Sequence, residues 1–155
     1  EVDIIEAQTV CPGKYIIIIQ GQLSAIRAAV EAAKHQYPKH FIDSFVLGNP
    51  HESIFAAIYG TTNIKKIRAL GILETFSVAS MIVAADEAAK SAEVELIELR
   101  LARGMCGKSY MFLTGEVSAV EASIERAKRA IQDGAMMLDS TVIANPDEKL
   151  CRTML

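Results

Sequence analysis

The residues best suited to chemistry in this chain of 155 residues are its three cysteines, Cys11, Cys106 and Cys151. Cys11 precedes Pro12-Gly13, a pair that suits the two central positions of a type II turn and leaves the thiol at the shoulder of that turn. Thiolates are soft ligands that select iron–sulfur clusters, zinc or copper(I). A single cysteine lacks the spacing of a complete metal site, so an ordinary thiol beside a turn is the alternative interpretation.

The other reactive side chains form no catalytic or nucleotide-binding pattern. His35, His40 and His51 have no metal-ligand spacing with one another or with the cysteines. The sequence contains neither G-x-x-x-x-G-K-[ST] nor G-x-G-x-x-G. A net charge of −3 without a Lys/Arg tract argues against nucleic acid and against a membrane surface as partners. The longest apolar runs, such as 78–85, are too short to span a bilayer. We therefore expect a protein that is not an enzyme.

The elements that must position the cysteines occur twice, because the chain repeats itself. Five segments in the first part of the chain match five segments in the second part, in the same order. The pairs are 2–6 with 94–98, 13–21 with 107–115, 23–26 with 117–120, 33–34 with 127–128, and 43–50 with 139–146. The repeat brings the turn at Cys11 into correspondence with the stretch 103–108, which contains Cys106.

Each repeat combines strands and helices. The run 16–19 is β-branched and typical of a strand buried on both faces. Ser24 and Ser118 are expected to cap the helices that follow, Ser118 with Glu121 as a capping box. Further elements are predicted by the same patterns: short strands at 45–47 and 141–143, each ended by Asn-Pro, and short helices at 52–58 and 148–154.

The second repeat contains additional elements before its first matched segment, 94–98. A strand is predicted at 69–74, and Ser77 is expected to cap a helix that runs to about Lys90. The first repeat has no counterpart of this strand and helix, which would leave a sheet edge open, so we expect the chain to be truncated or its N-terminus to have been lost. The expected fold class is α+β, a sandwich with helices on one side of the sheet. The predicted divisions are an incomplete first domain at 1–60, a linker at 61–67 and a second domain at 68–155.

Several of these segments resemble the bacterial microcompartment (BMC) domain family: 69–75, 84–86, 90–96 and 115–120. The stretches 9–14 and 43–49 are similar to a subclass of tandem-domain shell proteins in that family. The resemblance implies two tandem ferredoxin-like α/β sandwich domains that form a homotrimer mimicking a hexagon. It implies that the trimers tile the cytoplasmic microcompartment shell together with other shell proteins. It also implies one iron–sulfur cluster per trimer, of the 4Fe-4S type, on the three-fold axis.

In the family, the loop between the second and third strands lines a central pore. The resemblance carries this role to eight residues: Cys11, Pro12, Gly13, Lys14, Met105, Cys106, Gly107 and Lys108. It makes Cys11 the cluster ligand, because one thiol per chain becomes three on a three-fold axis. Three thiolates leave one iron of a cubane cluster for water or another small ligand. Lys14 is close enough in sequence to favour the Cys11 thiolate and to offset the negative charge of the cluster.

Two residues have competing interpretations. Cys106 is either an extra cluster ligand or a small residue lining the pore, and we favour the second because bulky Met105 adjoins it and its loop is longer by two residues. Lys90 is either a cation favoured by a helix C-terminus or, as the resemblance implies, a residue at the edge where tiles meet.

The function that these expectations favour is a wall tile whose pore cluster passes electrons to encapsulated redox enzymes. One alternative is a plain tile with a metabolite-conducting pore. Another is a regulatory trimer that binds a small molecule, since a fold alone does not determine function.

Overall fold

The computed structural model describes residues 1–134 and 136–154. The first repeat contains strands β1 (Val2–Cys11) and β2 (Lys14–Gly21) and helices α1 (Leu23–Gln36) and α2 (Ser53–Tyr59). The second repeat contains β3 (Ala69–Thr75), α3 (Val78–Ser91), β4 (Val94–Leu101), β5 (Ser109–Gly115), α4 (Val117–Ile131), a 3-10 turn (Gln132–Gly134), β6 (Met137–Ile143) and α5 (Glu148–Cys151). The order of elements predicted for a complete unit is confirmed in the second repeat.

The second repeat is built on a four-stranded antiparallel sheet in the order β4-β5-β3-β6. On one face, Leu73 of β3 packs in a cluster with Met81 of α3 and Val120 of α4, and each of these three side chains is fully buried. Gly71 lets α4 approach this face, because a Cβ there would lie 2.7 Å from Leu113 and 2.9 Å from Val120. A smaller apolar cluster on the other face contains Leu70, so the sheet is covered on both sides.

The first repeat has only the hairpin β1–β2, helix α1 and helix α2. Its hairpin has the same register as β4–β5: Val2 pairs with Gly21 as Val94 pairs with Gly115. Both hairpins also have a bulge at the same place, between Ile4 and Glu6 in one and between Leu96 and Glu98 in the other. The repeat predicted from the sequence is therefore also present in the backbone pairing of the two hairpins.

Two predictions for the first repeat are wrong. No strand forms at 45–47. Its counterpart β6 pairs with β3, and none of the described residues gives the segment 45–47 an equivalent partner strand. The run 16–19 does form a strand, but it is not buried on both faces, because Ile17 is 63% exposed. Instead of joining a sheet, the segment from Asp43 to His51 lies along α3 of the second repeat, where both of these residues are hydrogen-bonded.

The helix caps agree only in part with the sequence. Ser77 accepts a hydrogen bond from the backbone N–H of Ser80 at 3.1 Å, which confirms the predicted cap of α3. Ser24 and Ser118 do not cap their helices, because each N-cap lies two residues earlier, at Gln22 for α1 and at Glu116 for α4. Neither of those two N-cap side chains makes a capping hydrogen bond.

Within the described residues, the chain has no helix that is both long enough and apolar enough to cross a membrane.

Candidate functional site

Cys11 and Lys14 face each other across the turn of the first hairpin. They are the last pair in the β1–β2 register, and only Pro12 and Gly13 lie between them. Gly13 has φ +80°, the value that a type II turn requires at its third residue and that glycine adopts at low cost. Cys11 is partly buried, and the two turn residues are exposed. The turn predicted from Pro-Gly therefore presents the thiol at the end of a hairpin, as expected.

The corresponding loop of the second repeat joins β4 to β5 and is more contorted. Its backbone has positive φ at Ala102, Gly104, Cys106 and Gly107. Cys106, with φ +56°, adopts a conformation that costs a side-chain-bearing residue about 1–2 kcal/mol. The Cys106 thiol is exposed. Such a conformation persists only where surrounding contacts hold it, so residues packed against this loop must stabilise it.

The first hairpin provides those contacts. The Lys14 ammonium donates a hydrogen bond to the carbonyl oxygen of Cys106 at 2.6 Å. Its stem crosses Gly107 so closely that a Cβ there would lie 2.8 Å from Lys14 Cδ. A second link is the salt bridge from Arg103 to Glu6, at 2.7 Å. The two loops that the sequence predicted to correspond therefore lie side by side, and Lys14 binds the loop of Cys106.

The described part of one chain does not complete a metal site, since it holds no group of three or more His, Cys, Asp or Glu side chains placed to bind one ion. Cys11 still fits the role of a single soft ligand, because its thiol is partly exposed at the tip of a rigid hairpin. Cys106 is also exposed, in the adjacent loop. A cluster at this place must therefore take its thiolates from several copies of the chain.

Cys151 lies apart from this site. It is buried in the small apolar cluster with Ile67, Leu70 and Ile97, and its thiol is 4.0 Å from the carbonyl oxygen of Pro146. Its environment is that of a small packing residue.

Lys90 lies in the last turn of α3, one residue before the helix ends at Ser91 and where the sequence predicted the end of the helix, and its side chain is 40% exposed. Its ammonium forms a salt bridge with Asp86 at 2.6 Å and donates to the carbonyl oxygen of Asn49, also at 2.6 Å. The other carboxylate oxygen of Asp86 accepts the backbone N–H of His51 at 2.7 Å. Lys90 and Asp86 thus bind the end of the first repeat to a helix of the second, and the edge role of Lys90 stays a prediction.

Two acidic residues that bind the repeats together were missed by the sequence analysis. Asp86 is only 2% exposed, and Asp43 accepts hydrogen bonds from the hydroxyls of Ser77 and Ser80 at the start of α3. A signal for Asp86 was present, because it lies on an alanine-rich helix face four residues before Lys90. Asp43 gave no such signal, since its partners are distant in sequence.

An open cleft between α2, the segment 59–64 and β4 is the place where a small molecule could bind. Its charged groups are already paired, Glu98 with Arg100 and Glu6 with Arg103. Burial, and then the Glu98 carboxylate, raise the pKa of Tyr110, and its phenol donates a hydrogen bond to Glu98 at 3.2 Å. Because these charges satisfy one another, the described lining of the cleft leaves no charged side chain free to anchor a ligand.

Comparison with known proteins identifies the repeated unit. The BMC domain family matches residues 1–50 and residues 69–146, one match in each repeat. The chain belongs to the BMC domain family. This confirms the family resemblance and the two tandem domains of the fold prediction.

Relatives of the chain are shell proteins. The bacterial microcompartment shell protein PduT from Citrobacter freundii is 34% identical over 154 residues, which cover 99% of this chain and 84% of that protein. The carboxysome shell protein CcmK3 from Synechococcus elongatus is 31% identical over 84 residues, 53% of this chain and 80% of that protein. The crystal structure of a microcompartment protein from Desulfitobacterium hafniense DCB is 43% identical, with a TM-score of 0.85, and the match covers 98% of this chain and 84% of that one.

Proposed function

We propose that this BMC-domain protein is a non-enzymatic wall tile of a bacterial microcompartment, located in the shell within the cytoplasm. In this proposal, three copies form a ring in which six BMC units alternate, and the rings tile with other shell proteins. The observation that supports the ring is the contact between the two equivalent loops, where Lys14 of one repeat binds the carbonyl of Cys106 in the other. Two like units that meet through different surfaces can close into a ring when the same contact is repeated.

We further propose that the ring holds an iron–sulfur cluster at its centre, with Cys11 of each copy as a ligand. The support is the place of the thiol, at the tip of a hairpin whose neighbouring loop belongs to the other repeat. When bound, the cluster supplies one-electron redox chemistry, which would serve redox enzymes inside the shell. Lys14 positions the Cys106 loop and contributes positive charge beside the thiols, and Pro12-Gly13 keeps Cys11 at the turn.

Electron microscopy of the purified protein tests the tile. Flat sheets or tubes with a hexagonal lattice are expected. Discrete particles that never assemble, and whose thermal stability rises with an added small molecule, would contradict the tile and favour a regulatory trimer.

Iron and acid-labile sulfide assays on anaerobically prepared protein test the cluster. Brown protein with an electron paramagnetic resonance signal after reduction is expected, and Cys11→Ala should lose both. Cys106→Ser is the matched variant, since its thiol lies in the corresponding loop and is exposed. Retention of iron in Cys106→Ser makes Cys106 a pore-lining residue, whereas loss makes it a further ligand. Colourless wild-type protein without iron would contradict the cluster and favour a plain tile with a metabolite-conducting pore.

A further inference from the structure

Lys14 and Lys108 occupy equivalent places in the two repeats but have different surroundings. Each follows the glycine that ends its loop, Gly13 or Gly107. The ammonium of Lys14 binds the carbonyl of Cys106, whereas that of Lys108 has no hydrogen-bond or salt-bridge partner among the described residues. The two glycines differ in the space around them. A Cβ on Gly107 would collide with Lys14, but a Cβ on Gly13 would meet nothing within 4 Å.

The contact between the repeats uses one side of each unit. The first repeat contributes the lysine that follows its turn, and the second contributes the loop that accepts it. Since the contributed surfaces differ, each repeat keeps the complementary surface unused. The unused donor is Lys108, and the unused acceptor surface is the turn Pro12–Gly13. In a type II turn the carbonyl of the second residue, here Pro12, takes no part in the hydrogen bond that closes the turn.

The charges near this unused surface are also compatible with a second copy. Glu6 and Glu98 occupy equivalent positions in the two repeats. Glu6 takes its arginine, Arg103, from the other repeat, at 2.7 Å. Glu98 has an arginine on its own strand, Arg100, at 2.8 Å. In a contact between chains, Glu98 would keep the arginine of its own strand. The Cys11–Lys14 turn of the second copy contains no arginine and does not have to provide one.

We infer that Lys108 is an intersubunit residue: its ammonium donates to the backbone carbonyl of Pro12 on a second copy of this chain, and its stem lies against Gly13 of that copy. This inference rests on the ring of the proposed function and assigns the residues that close it. The contact inside the chain and the contact between chains then have the same geometry, with Lys14 serving the first and Lys108 the second.

Sedimentation velocity over a range of protein concentrations tests the inference. Lys108→Met removes the donor and keeps the apolar stem, so the concentration at which trimers dissociate should rise at least about tenfold, because each of the three contacts in the trimer loses a charged hydrogen bond. Lys108→Arg retains a donor and should stay close to wild type. The matched control is Lys128→Met, since among the described residues Lys128 pairs only with Glu125 on the exposed side of its own helix.

Amine-reactive labelling of the wild-type trimer gives a readout that needs no variant. Lys108, which is partly buried in the single chain, should be labelled more slowly in the trimer than after dilution to monomers, whereas the exposed Lys65 should be labelled at the same rate in both states. A wild-type trimer that Lys108→Met leaves equally stable, and in which Lys108 is labelled as fast as in the monomer, would overturn the inference and leave the ring intact. A wild-type protein that is monomeric at every concentration would overturn the ring and the inference together.

Discussion

The hairpins β1–β2 and β4–β5 are nearly identical in backbone pairing and opposite in environment. They share their register and the position of their bulge. Gly21 and Gly115 also have equivalent neighbours, because a Cβ on either would meet a valine, Val2 or Val94, and the carbonyl oxygen of the glutamate before that valine. Yet Ile4 is 67% exposed where its counterpart Leu96 is 2% exposed, and Ile17 is 63% exposed where Met111 is fully buried.

This difference separates what a hairpin determines locally from what its neighbours supply. Pairing, bulge and turn depend on residues close in sequence, so both repeats form them. Burial depends on β3, α3 and α4, which belong to the second repeat. The first hairpin therefore offers an apolar surface with the right local structure and little to cover it within the described chain.

The largest expected effect contrasts two equivalent core positions. Met111→Ala should lower the free energy of unfolding by about 3 kcal/mol, because it leaves a cavity in a closed core. Ile17→Ala should lower it by less than about 1 kcal/mol, because that side chain is mostly in water. Urea unfolding of both variants checks the contrast. Equal losses would mean that the first hairpin is covered as thoroughly as the second.

The next effect concerns the binding of the first repeat to α3. Asp86→Ala removes a buried carboxylate that accepts from Lys90 and from the backbone of His51, so we expect a loss of about 2 kcal/mol in unfolding free energy. The matched control is Glu125→Ala, where only an exposed salt bridge with Lys128 is lost and stability should stay near that of the wild type. Thermal unfolding measures both, and similar melting temperatures for the two variants would show that Asp86 does not hold the repeats together.

A smaller effect distinguishes two glycines of the loop between β4 and β5, only one of which lies against Lys14. Gly107→Ala and Gly104→Ala carry a similar backbone penalty of about 1 kcal/mol, because both residues have positive φ. Only the alanine at 107 would also displace Lys14, since nothing lies within 4 Å of a Cβ at 104. Gly107→Ala should therefore be the less stable variant by chemical denaturation. If the order is reversed, the contact of Lys14 with this loop contributes nothing to stability.

The sequence predicted most of the fold of the second repeat because its signals are local. The β-branched and apolar periods, the Ser77 cap and the Pro12-Gly13 turn each depend on neighbouring residues. The strand at 45–47 could not be excluded from its own residues, because a strand also needs an edge to pair with. The link from Lys14 to Cys106 joins residues 92 positions apart, and only the fold brings them together. The sequence analysis paired Lys14 with the Cys11 thiol instead, because these two residues are close in sequence.

The most direct test of the account is whether the Cys11 thiols of different chains gather at one place. A variant with Cys106→Ser and Cys151→Ser retains only the thiol of Cys11, and a short bismaleimide should link it between chains, giving covalent dimers on a denaturing gel. The same reagent applied to Cys11→Ser with Cys106→Ser should give no linked product, because Cys151 is buried. Assembled protein in which Cys11 reacts with the reagent but never joins two chains would contradict the account.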